Sequence, residues 1–276
     1  MKIRNLNLNY DHPLQVEEGI FWVGYYDQTT GVQCNPYLLT DGDESVLIDG
    51  GSRLDFSIVM SKIFETGLDP RLISTLIYHH YDPDLCASLP HLEEIINNPN
   101  LVVLSHSYNN QFIRYYSGRT PLTCVESLGF SYTLKSGRKL VFARTPYSHS
   151  AGSFVTLDKK SGIVFSSDIF GSYSRDWQLF HEFDVECSTC KDSIACAYNK
   201  PICPMREIKN FHRTLMPCSS ALTYAVELIH GLEPQIIAPQ HGSILYKKED
   251  IQRVVNVLSG LDNVGFEGYI KKSNNE

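Results

Sequence analysis

The sequence predicts an α/β protein built as an αββα sandwich. Short apolar runs that end in turns or polar loops are typical of buried strands, and they recur along the chain. Segments with helical periodicity lie between them. The chain also has two halves, each with strands followed by helices. This order favours a sandwich over a regular doubly wound sheet.

In the first half, a polar–apolar alternation predicts the opening strand, and apolar runs bounded by turns predict the next five. The predicted strands cover residues 2–8, 20–25, 37–40, 46–49, 72–78 and 101–104. The turn Asp-Gly-Gly closes the fourth of them. Helices are predicted over residues 54–66, 85–97 and 108–116.

In the second half, strands are predicted over residues 132–134, 139–143, 153–157, 163–166 and 236–238. Helices are predicted over residues 206–215, 221–230 and 250–261. A cysteine-containing insert near 184–204 interrupts the pattern. The length of 276 residues is compatible with one large or two small domains. Because no Gly-, Ser- or Pro-rich linker divides the chain, a single domain over 1–276 is predicted.

Composition narrows the classes of function. The net charge is −7 and no basic stripe is present, which argues against binding of nucleic acid and of anionic membrane surfaces. No apolar run approaches the roughly 20 residues that a membrane-spanning helix needs. The N-terminal segment has neither the apolar core nor the cleavage site of a signal peptide. We therefore expect a cytoplasmic protein without nucleic-acid or membrane partners.

A cluster of metal-binding side chains follows one predicted strand. Within LIYHHYDPDLCASLP, residues 76–90, an apolar run ends in His80, Asp82 and Asp84. Such groups are seldom collected at the end of a buried strand unless something binds them, because buried polar groups without partners are costly. These three residues are predicted metal ligands. His79 is interpreted as a packing residue or a residue behind the ligands. A ligand at position 79 would lose the spacing of two residues that separates 80, 82 and 84.

Three later loops also place a ligand-type side chain just after a short strand. They are TPYSHSAGS with His149, VFSSDIFG with Asp168 and IAPQHGSIL with His241. Strand ends at one edge of a sheet converge, so distant segments can build one site. The combined imidazoles and carboxylates are enough for two metal ions that share a bridging carboxylate. Such mixed nitrogen and oxygen ligands suit iron and dioxygen chemistry, although zinc also accepts carboxylates.

Taken in order, the four loops resemble those of the metallo-β-lactamase superfamily and, within it, the diiron branch of flavodiiron proteins. The first motif of that branch is His-x-Glu-x-Asp-His, followed by small residues and Leu-Pro. Alignment on Ser88-Leu89-Pro90 places His80, Asp82 and Asp84 on its histidine, glutamate and aspartate. FWVGYYD and NPYLL near the N-terminus also match. The resemblance covers nearly the whole chain and implies the metallo-β-lactamase fold.

The resemblance also implies a division of the ligands between two iron ions. One iron takes His80, Asp82 and His149, the other takes Asp84 and His241, and Asp168 bridges them.

Two positions depart from the family pattern. Asp82 replaces a glutamate, so its carboxylate is a methylene shorter. Leu85 replaces a histidine that binds the second metal in many members. Because leucine cannot ligate, the second metal is expected to have fewer protein ligands and an open, partly apolar face. An open position is what a small diatomic ligand needs.

Three functions are compatible with these features. The favoured one resembles the oxygen-binding diiron proteins linked to cytoplasmic chemoreceptors. The chain would bind dioxygen as an oxygen and iron sensor and signal to a partner such as a chemoreceptor system. The second is an oxygen or nitric oxide reductase with an external electron donor. The third is a zinc-dependent hydrolase, in which zinc substitutes for iron and activates a water.

Cofactor and assembly follow from the same resemblance. Flavodiiron proteins continue into a flavodoxin-like domain that binds FMN, whereas no Gly-rich phosphate loop follows a strand in this sequence. No FMN is therefore expected within this chain, and electrons for turnover must come from outside it. Flavodiiron proteins pair head to tail, so a homo-oligomer is also expected.

Other candidate residues have weaker signals. Tyr25, Tyr26 and Tyr81 are alternative candidates to line the site and to donate a hydrogen bond to bound oxygen. The clustered Cys187, Cys190, Cys196 and Cys203 have neither the spacing of a zinc ribbon nor that of a ferredoxin. A loop of free thiols with one disulfide, a structural zinc and a redox relay all remain open for them. The other histidines are predicted to be surface or ordinary structural residues, namely His12, His91, His106, His181, His212 and His230.

Overall fold

A computed structural model describes residues 8–184, 187 and 203–273 of the chain. Within these ranges, twelve strands form two sheets and eight α-helices accompany them. The predicted α/β class is therefore confirmed. The chain groups into two compact units. Unit 1 contains the described residues of 1–26, 33–142 and 158–161, and unit 2 contains those of 27–32, 143–157 and 162–276.

A seven-stranded sheet lies in unit 1, and its strands follow chain order. They are β1 (Leu14–Glu17), β2 (Ile20–Trp22), β3 (Tyr37–Asp41), β4 (Glu44–Ile48), β5 (Ile73–Ile77), β6 (Val102–Ser105) and β7 (Leu122–Cys124). Strands β1 to β4 pair antiparallel, whereas β4 to β7 pair parallel. Parallel pairs need crossover connections, which helices supply here. These are α1 (Phe56–Glu65), α2 (Pro83–Cys86), α3 (Leu89–Ile96) and α4 (Ser107–Ile113).

The helix predicted over residues 85–97 is instead two helices, α2 and α3, separated at Ala87 and Ser88. Pro90 lies in the first turn of α3, where a missing N–H costs nothing, whereas further inside a helix it would clash with the preceding turn. The Ser88 hydroxyl donates to the carbonyl of Gly50 at 2.9 Å. The break therefore separates a short α2, which contains Asp84, from α3.

The hydrophobic core of unit 1 explains why its central strands are largely buried. All five residues of β4 are buried, as expected for a strand covered on both faces. Helices α1, α2 and α3 turn apolar residues toward the same cluster, which includes Leu47, Val59, Leu76, Leu85 and Leu92. Burial of such side chains is worth roughly 1.5–3 kcal/mol each. This core holds the end of β5, and thus the start of the metal-binding motif, in place.

Unit 2 contains most of the second-half elements. The five-stranded sheet has the order β12-β11-β10-β9-β8. Its strands are β8 (Ser131–Thr133), β9 (Lys139–Arg144), β10 (Phe154–Asp158), β11 (Ile163–Phe165) and β12 (Ile236–Ala238). In unit 2, β11 and β12 pair parallel. The helices of unit 2 are α5 (Pro204–Leu215), α6 (Ser219–Gly231), α7 (Lys248–Ser259) and α8 (Phe266–Ser273).

Most predicted elements agree with the structure to within a few residues. The short strands β1 and β7 and the final helix α8 were not predicted. The predicted strand 2–8 lies outside the described residues except for Leu8, and most of the insert near 184–204 also lies outside them. Among the described residues, no helix combines the length and apolarity needed to cross a membrane.

Lys62 is a buried cation in the core of unit 1, with 1% of its surface exposed. Its ammonium donates to the carbonyls of Tyr10 and Gly24 and lies 4.1 Å from the centre of the Trp22 ring. Desolvation lowers the pKa of Lys62 from its usual 10.5 to about 8. Carbonyl acceptors and the ring face partly offset the cost of burying this charge.

This lowered pKa predicts a pH-dependent stability. Between about pH 8 and 10.5 the unfolded chain keeps the proton that folded Lys62 has lost, so the free energy of unfolding rises with pH. Relative to Lys62→Met, wild type is expected to gain at most about 3 kcal/mol across this window. Urea unfolding of both chains at several pH values measures the gain. If the free energy of unfolding changed with pH by the same amount in both chains, the lowered pKa of Lys62 would be contradicted.

Candidate metal centre

The first ligand group lies in unit 1, where the chain leaves β5. His80 is buried, with 1% of its surface exposed, and Asp82 and Asp84 are half-buried. Asp82 occupies the N-cap position of α2, but its side chain makes no capping hydrogen bond, and Asp84 lies in the first helical turn. The ligand atoms of these three residues lie within 4.8 Å of one another. The local fold therefore brings together all three predicted ligands of the first motif.

The short Asp82 side chain still reaches the neighbourhood of His80. Its Oδ2 lies 3.8 Å from His80 Nε2. Metal bonds of 2.0–2.2 Å allow two ligands of one ion to lie up to about 4.4 Å apart. A carboxylate and an imidazole at this separation can share one ion, so the change from glutamate to aspartate does not remove a potential ligand.

His79 is held by a buried carboxylate on the neighbouring strand end. Its Nδ1 lies 2.7 Å from Asp49 Oδ2, and its backbone N–H donates to Asp49 Oδ1 at 3.1 Å. Asn109 donates to the His79 carbonyl at 3.1 Å, and Ser105 donates to the carbonyl of Tyr78. These bonds fix the backbone directly before His80. His79 thus has the supporting contacts expected of a residue behind the ligands, and Asp49 is a supporting residue that sequence reasoning missed.

The second ligand group lies in unit 2 and centres on Asp168, which is 1% exposed. His149 Nε2 lies 2.8 Å from Asp168 Oδ2, and His241 Nε2 lies 3.6 Å from Asp168 Oδ1. Each carboxylate oxygen therefore faces a different imidazole. A buried carboxylate is stable only when it is paired, hydrogen-bonded or bound to a metal. This arrangement suits a carboxylate that bridges two ions, each with a histidine of its own.

Parallel pairing explains why Asp168 and His241 meet. Strands β11 and β12 run side by side, so the loops that follow them leave the same edge of the sheet. The N–H of Ser166 donates to the carbonyl of Ala238 at 3.1 Å, and the N–H of Gln240 donates to the carbonyl of Ser167 at 2.8 Å. These two bonds join the Asp168 and His241 loops directly.

The Asp168 loop has an unfavourable backbone conformation on both sides of the carboxylate. Ser167 and Phe170 have φ values of 54° and 70°, which residues other than glycine rarely adopt. Such residues cost on the order of 1–3 kcal/mol each and persist where surrounding structure fixes them. His212 supplies one such restraint, because its Nε2 accepts the N–H of Phe170 at 3.1 Å.

His212 is fully buried, and its ring is used at both nitrogens. Nδ1 lies 2.7 Å from the carbonyl of Ile208, which requires a proton on Nδ1, while Nε2 accepts from Phe170. Desolvation lowers the pKa of His212 to about 4, so the neutral ring is the folded form. The sequence marked His212 as an ordinary structural histidine. Its specific task, holding the Asp168 loop, depends on a contact between distant segments.

Aromatic rings surround His241. The ring centres of Tyr173 and Phe211 lie 5.1 Å and 5.9 Å from that of His241, and Tyr173 and Phe211 pack edge to face. Gly242 follows His241 with a φ of 80°, and a Cβ there would lie 2.4 Å from the Ser172 hydroxyl. Only glycine fits this close approach. The imidazole is thereby fixed in an apolar setting.

The His149 loop closes on itself between β9 and β10. The N–H of Thr145 donates to the carbonyl of Ser153 at 3.0 Å, and the N–H of Tyr147 donates to the carbonyl of Ser150 at 2.8 Å. The N–H of Ser150 donates to the Ser153 hydroxyl at 3.2 Å. This turn presents His149 to Asp168 with 22% of its side chain exposed. His149 is the more accessible of the two histidines beside this carboxylate.

The remaining candidates have other surroundings. The Tyr81 ring packs on Phe112, with ring centres 4.5 Å apart, and Leu85 is fully buried in the core of unit 1. Whether either also lines a metal pocket stays a prediction. Cys187 is half-buried, and Cys203 is buried at the N-cap of α5. Cys190 and Cys196 lie outside the described residues, so the role of this cluster also stays a prediction.

Comparison with known proteins identifies the family. A family model described as "ODP family beta lactamase" matches residues 32–242. The chain belongs to this family. It is similar to the solved structure "Peroxy diiron species of chemotaxis sensor ODP", with a TM-score of 0.73 and 27% identity over 95% of this chain and 99% of that one. The apo state of the ODP chemotaxis sensor from T. denticola gives a TM-score of 0.70 and 26% identity, covering 95% and 97% of the two chains.

The ODP family match is accompanied by longer relatives. An anaerobic nitric oxide reductase flavorubredoxin from Vibrio vulnificus is 24% identical over 91% of this chain and 50% of its own length. The chain spans about half the length of such curated relatives. The predicted metallo-β-lactamase fold and the resemblance to its diiron branch are confirmed by these neighbours.

The Asp49–His79 pair predicts a stability effect. Asp49→Ala removes the two carboxylate oxygens that face the backbone N–H and Nδ1 of His79, and the loss of the acceptor of a buried donor costs about 1–3 kcal/mol. Asp49→Asn keeps one acceptor oxygen and tolerates the left-handed backbone at this position, so it is expected to lose less. Urea unfolding of the metal-free chains measures both losses. Equal stability of wild type and Asp49→Ala would show that the pair does not support the motif.

The lowered pKa of His212 predicts acid sensitivity. Between pH 6.5 and about 4, His212 binds a proton in the unfolded chain but stays neutral in the folded chain. The free energy of unfolding therefore falls as pH falls. Wild type should therefore lose up to about 3 kcal/mol relative to His212→Gln over this window. Chelator-treated protein is unfolded in urea at each pH. A constant difference between the two chains would contradict a buried neutral His212.

Proposed function

We propose that this chain is a diiron protein that binds dioxygen and acts as an oxygen sensor for a signalling partner. The observation that carries the proposal is the Asp168 carboxylate, which is buried and has a different imidazole facing each oxygen. Such a carboxylate can bridge two ions, one at each oxygen. Membership of the ODP family supports the same assignment.

The proposed ligand set follows the division that the resemblance to flavodiiron proteins implies. One iron takes His80, Asp82 and His149, the second takes Asp84 and His241, and Asp168 bridges. Support comes from the compact first group, from the Asp168 geometry and from the order of the four motifs along the chain.

The donor chemistry fits iron. The set is three imidazoles and three carboxylates, which hold ferrous ions while leaving positions free for a small ligand. When bound, the two irons supply the electrons and the open positions that dioxygen binding needs. The chain's own residues supply orientation: His212 holds the loop of Asp168, and Asp49 and Asn109 hold the strand end before His80. Tyr173 and Phe211 exclude water from one side of His241.

Two relatives differ in how much of their own length this chain matches, and the difference favours sensing over turnover. The ODP chemotaxis sensor is 27% identical over 99% of its own chain. The nitric oxide reductase flavorubredoxin is matched over 50% of its length. Reduction of dioxygen or nitric oxide with an external electron donor is the second candidate, and the similarity to that reductase favours it.

Dioxygen exposure separates these two functions. Metal-free protein is loaded anaerobically with ferrous iron and then mixed with air, first alone and then with a reductant and a rubredoxin-type donor. A sensor is expected to give an iron-dependent absorbance change that persists, without sustained gas consumption. Rapid, continuing consumption of oxygen or nitric oxide would instead identify a reductase. The absence of any iron-dependent spectrum would refute both, and hydrolysis of an ester or lactam by the zinc form would then identify a hydrolase.

The bridging role of Asp168 predicts a loss of iron. Asp168→Asn keeps the size of the side chain but replaces one ligand oxygen by an NH₂ group, which cannot bind a cation. Bound iron per chain is expected to fall from two ions to at most one. Asp176→Asn, an exposed change in the same unit, is the control. Iron is measured by a colorimetric assay after anaerobic desalting. Equal iron in wild type and Asp168→Asn would exclude the bridge.

A further inference from the structure

A buried thiol lies beside one of the proposed ligands and belongs to none of the motifs. Cys34 Sγ and a carboxylate oxygen of Asp84, both in unit 1, lie within 4.8 Å of each other. Cys34 is 7% exposed. A metal–sulfur bond of about 2.3 Å and a metal–oxygen bond of about 2.1 Å together span about 4.4 Å, so an approach of a few tenths of an ångström at most lets this thiolate and carboxylate bind one ion.

The segment that carries Cys34 is rigidly held. Tyr25 and Cys34 form an antiparallel bridge, with the N–H of Tyr25 donating to the Cys34 carbonyl at 3.4 Å. A Cβ on Gly24 would lie 2.3 Å from that carbonyl oxygen, so only glycine permits the approach. The indole N–H of Trp22 donates to Asn35 Oδ1 at 2.9 Å, and Asn35 is fully buried. The thiol therefore has a defined position and does not sit on a freely moving loop.

The second metal needs another ligand. The family motif has a histidine directly after Asp84, and this chain has Leu85 there. Leu85 is 0% exposed and packs in the hydrophobic core of unit 1, so its place in the fold offers no ligand atom. Of the ligands proposed for the second ion, Asp84 alone lies in unit 1, so a further donor from this unit would raise the coordination number. Cys34 lies on the Asp84 side of the first ligand group and carries a strong donor for iron, cobalt and zinc.

We infer that Cys34 is a thiolate ligand of the metal ion that Asp84 binds. The inference rests on the proposed diiron site, and it replaces the missing histidine ligand by sulfur from a distant segment. The thiol gives up its proton on binding, so metal uptake at this position releases a proton to solvent. Unit 1 then supplies a carboxylate and a thiolate to this ion. This ligand set is softer than that of the first ion, which has no sulfur.

X-ray absorption at the zinc edge tests this directly, without dependence on any activity. Wild type, Cys34→Ser and Cys124→Ser are loaded with zinc at two ions per chain and desalted. Cys124 is a half-buried thiol in the same unit, so its replacement is a matched control. Wild type and Cys124→Ser are expected to show a sulfur neighbour at about 2.3 Å. Cys34→Ser should lose it and bind the second ion at least about 10-fold more weakly in competition with a chelator.

The possible outcomes separate the two proposals. If wild type binds two ions without a sulfur neighbour, the diiron site stands and Cys34 is not a ligand. Sulfur that persists in Cys34→Ser but disappears when Cys187 and Cys190 are replaced by serine would assign it to the cysteine cluster and overturn the inference. A wild type that binds no metal would overturn both proposals. The wild-type spectrum alone can overturn the inference, because it shows whether sulfur binds the metal. The test therefore works even if Cys34→Ser folds poorly.

Discussion

The buried carboxylate of Asp168 is the group on which the proposed site depends. A carboxylate with 1% exposure is costly unless positive charge or hydrogen bonds compensate it, and here an imidazole approaches each oxygen. The surrounding structure bears the strain of placing it there. Two residues of its loop have positive φ, and His212 holds one of them through a buried hydrogen bond. Expensive local geometry of this kind is typical of functional sites.

The sequence could predict those parts of the site whose residues lie within one continuous loop. An apolar strand followed by His80, Asp82 and Asp84 is a local pattern, and so are the loops of His149, Asp168 and His241. The structure brings the first three together in unit 1 and the last three together in unit 2. Periodicity and turn residues also predicted most strands and helices. The break between α2 and α3 was missed although Pro90 could have signalled it.

The parts that the sequence could not predict depend on contacts between distant segments. Asp49 is far along the chain from His79, His212 from Phe170, and Cys34 from Asp84. Each looks ordinary in its own segment, and only the folded chain brings it to its neighbour. Leu85 illustrates the same limit, because sequence comparison marks it as a missing ligand, whereas the structure places it in the core and Cys34 beside Asp84. On our inference, Cys34 supplies the ligand that Leu85 cannot.

The central claim is that one chain holds two metal ions joined by Asp168. X-ray absorption at the iron edge of the anaerobic, ferrous-loaded wild-type protein tests it most directly. Bridged two-metal sites have their ions about 3.5–4 Å apart, so an iron neighbour is expected at that distance around each iron. A spectrum with no iron neighbour within about 4 Å of each iron would contradict the claim, whichever light atoms surround it.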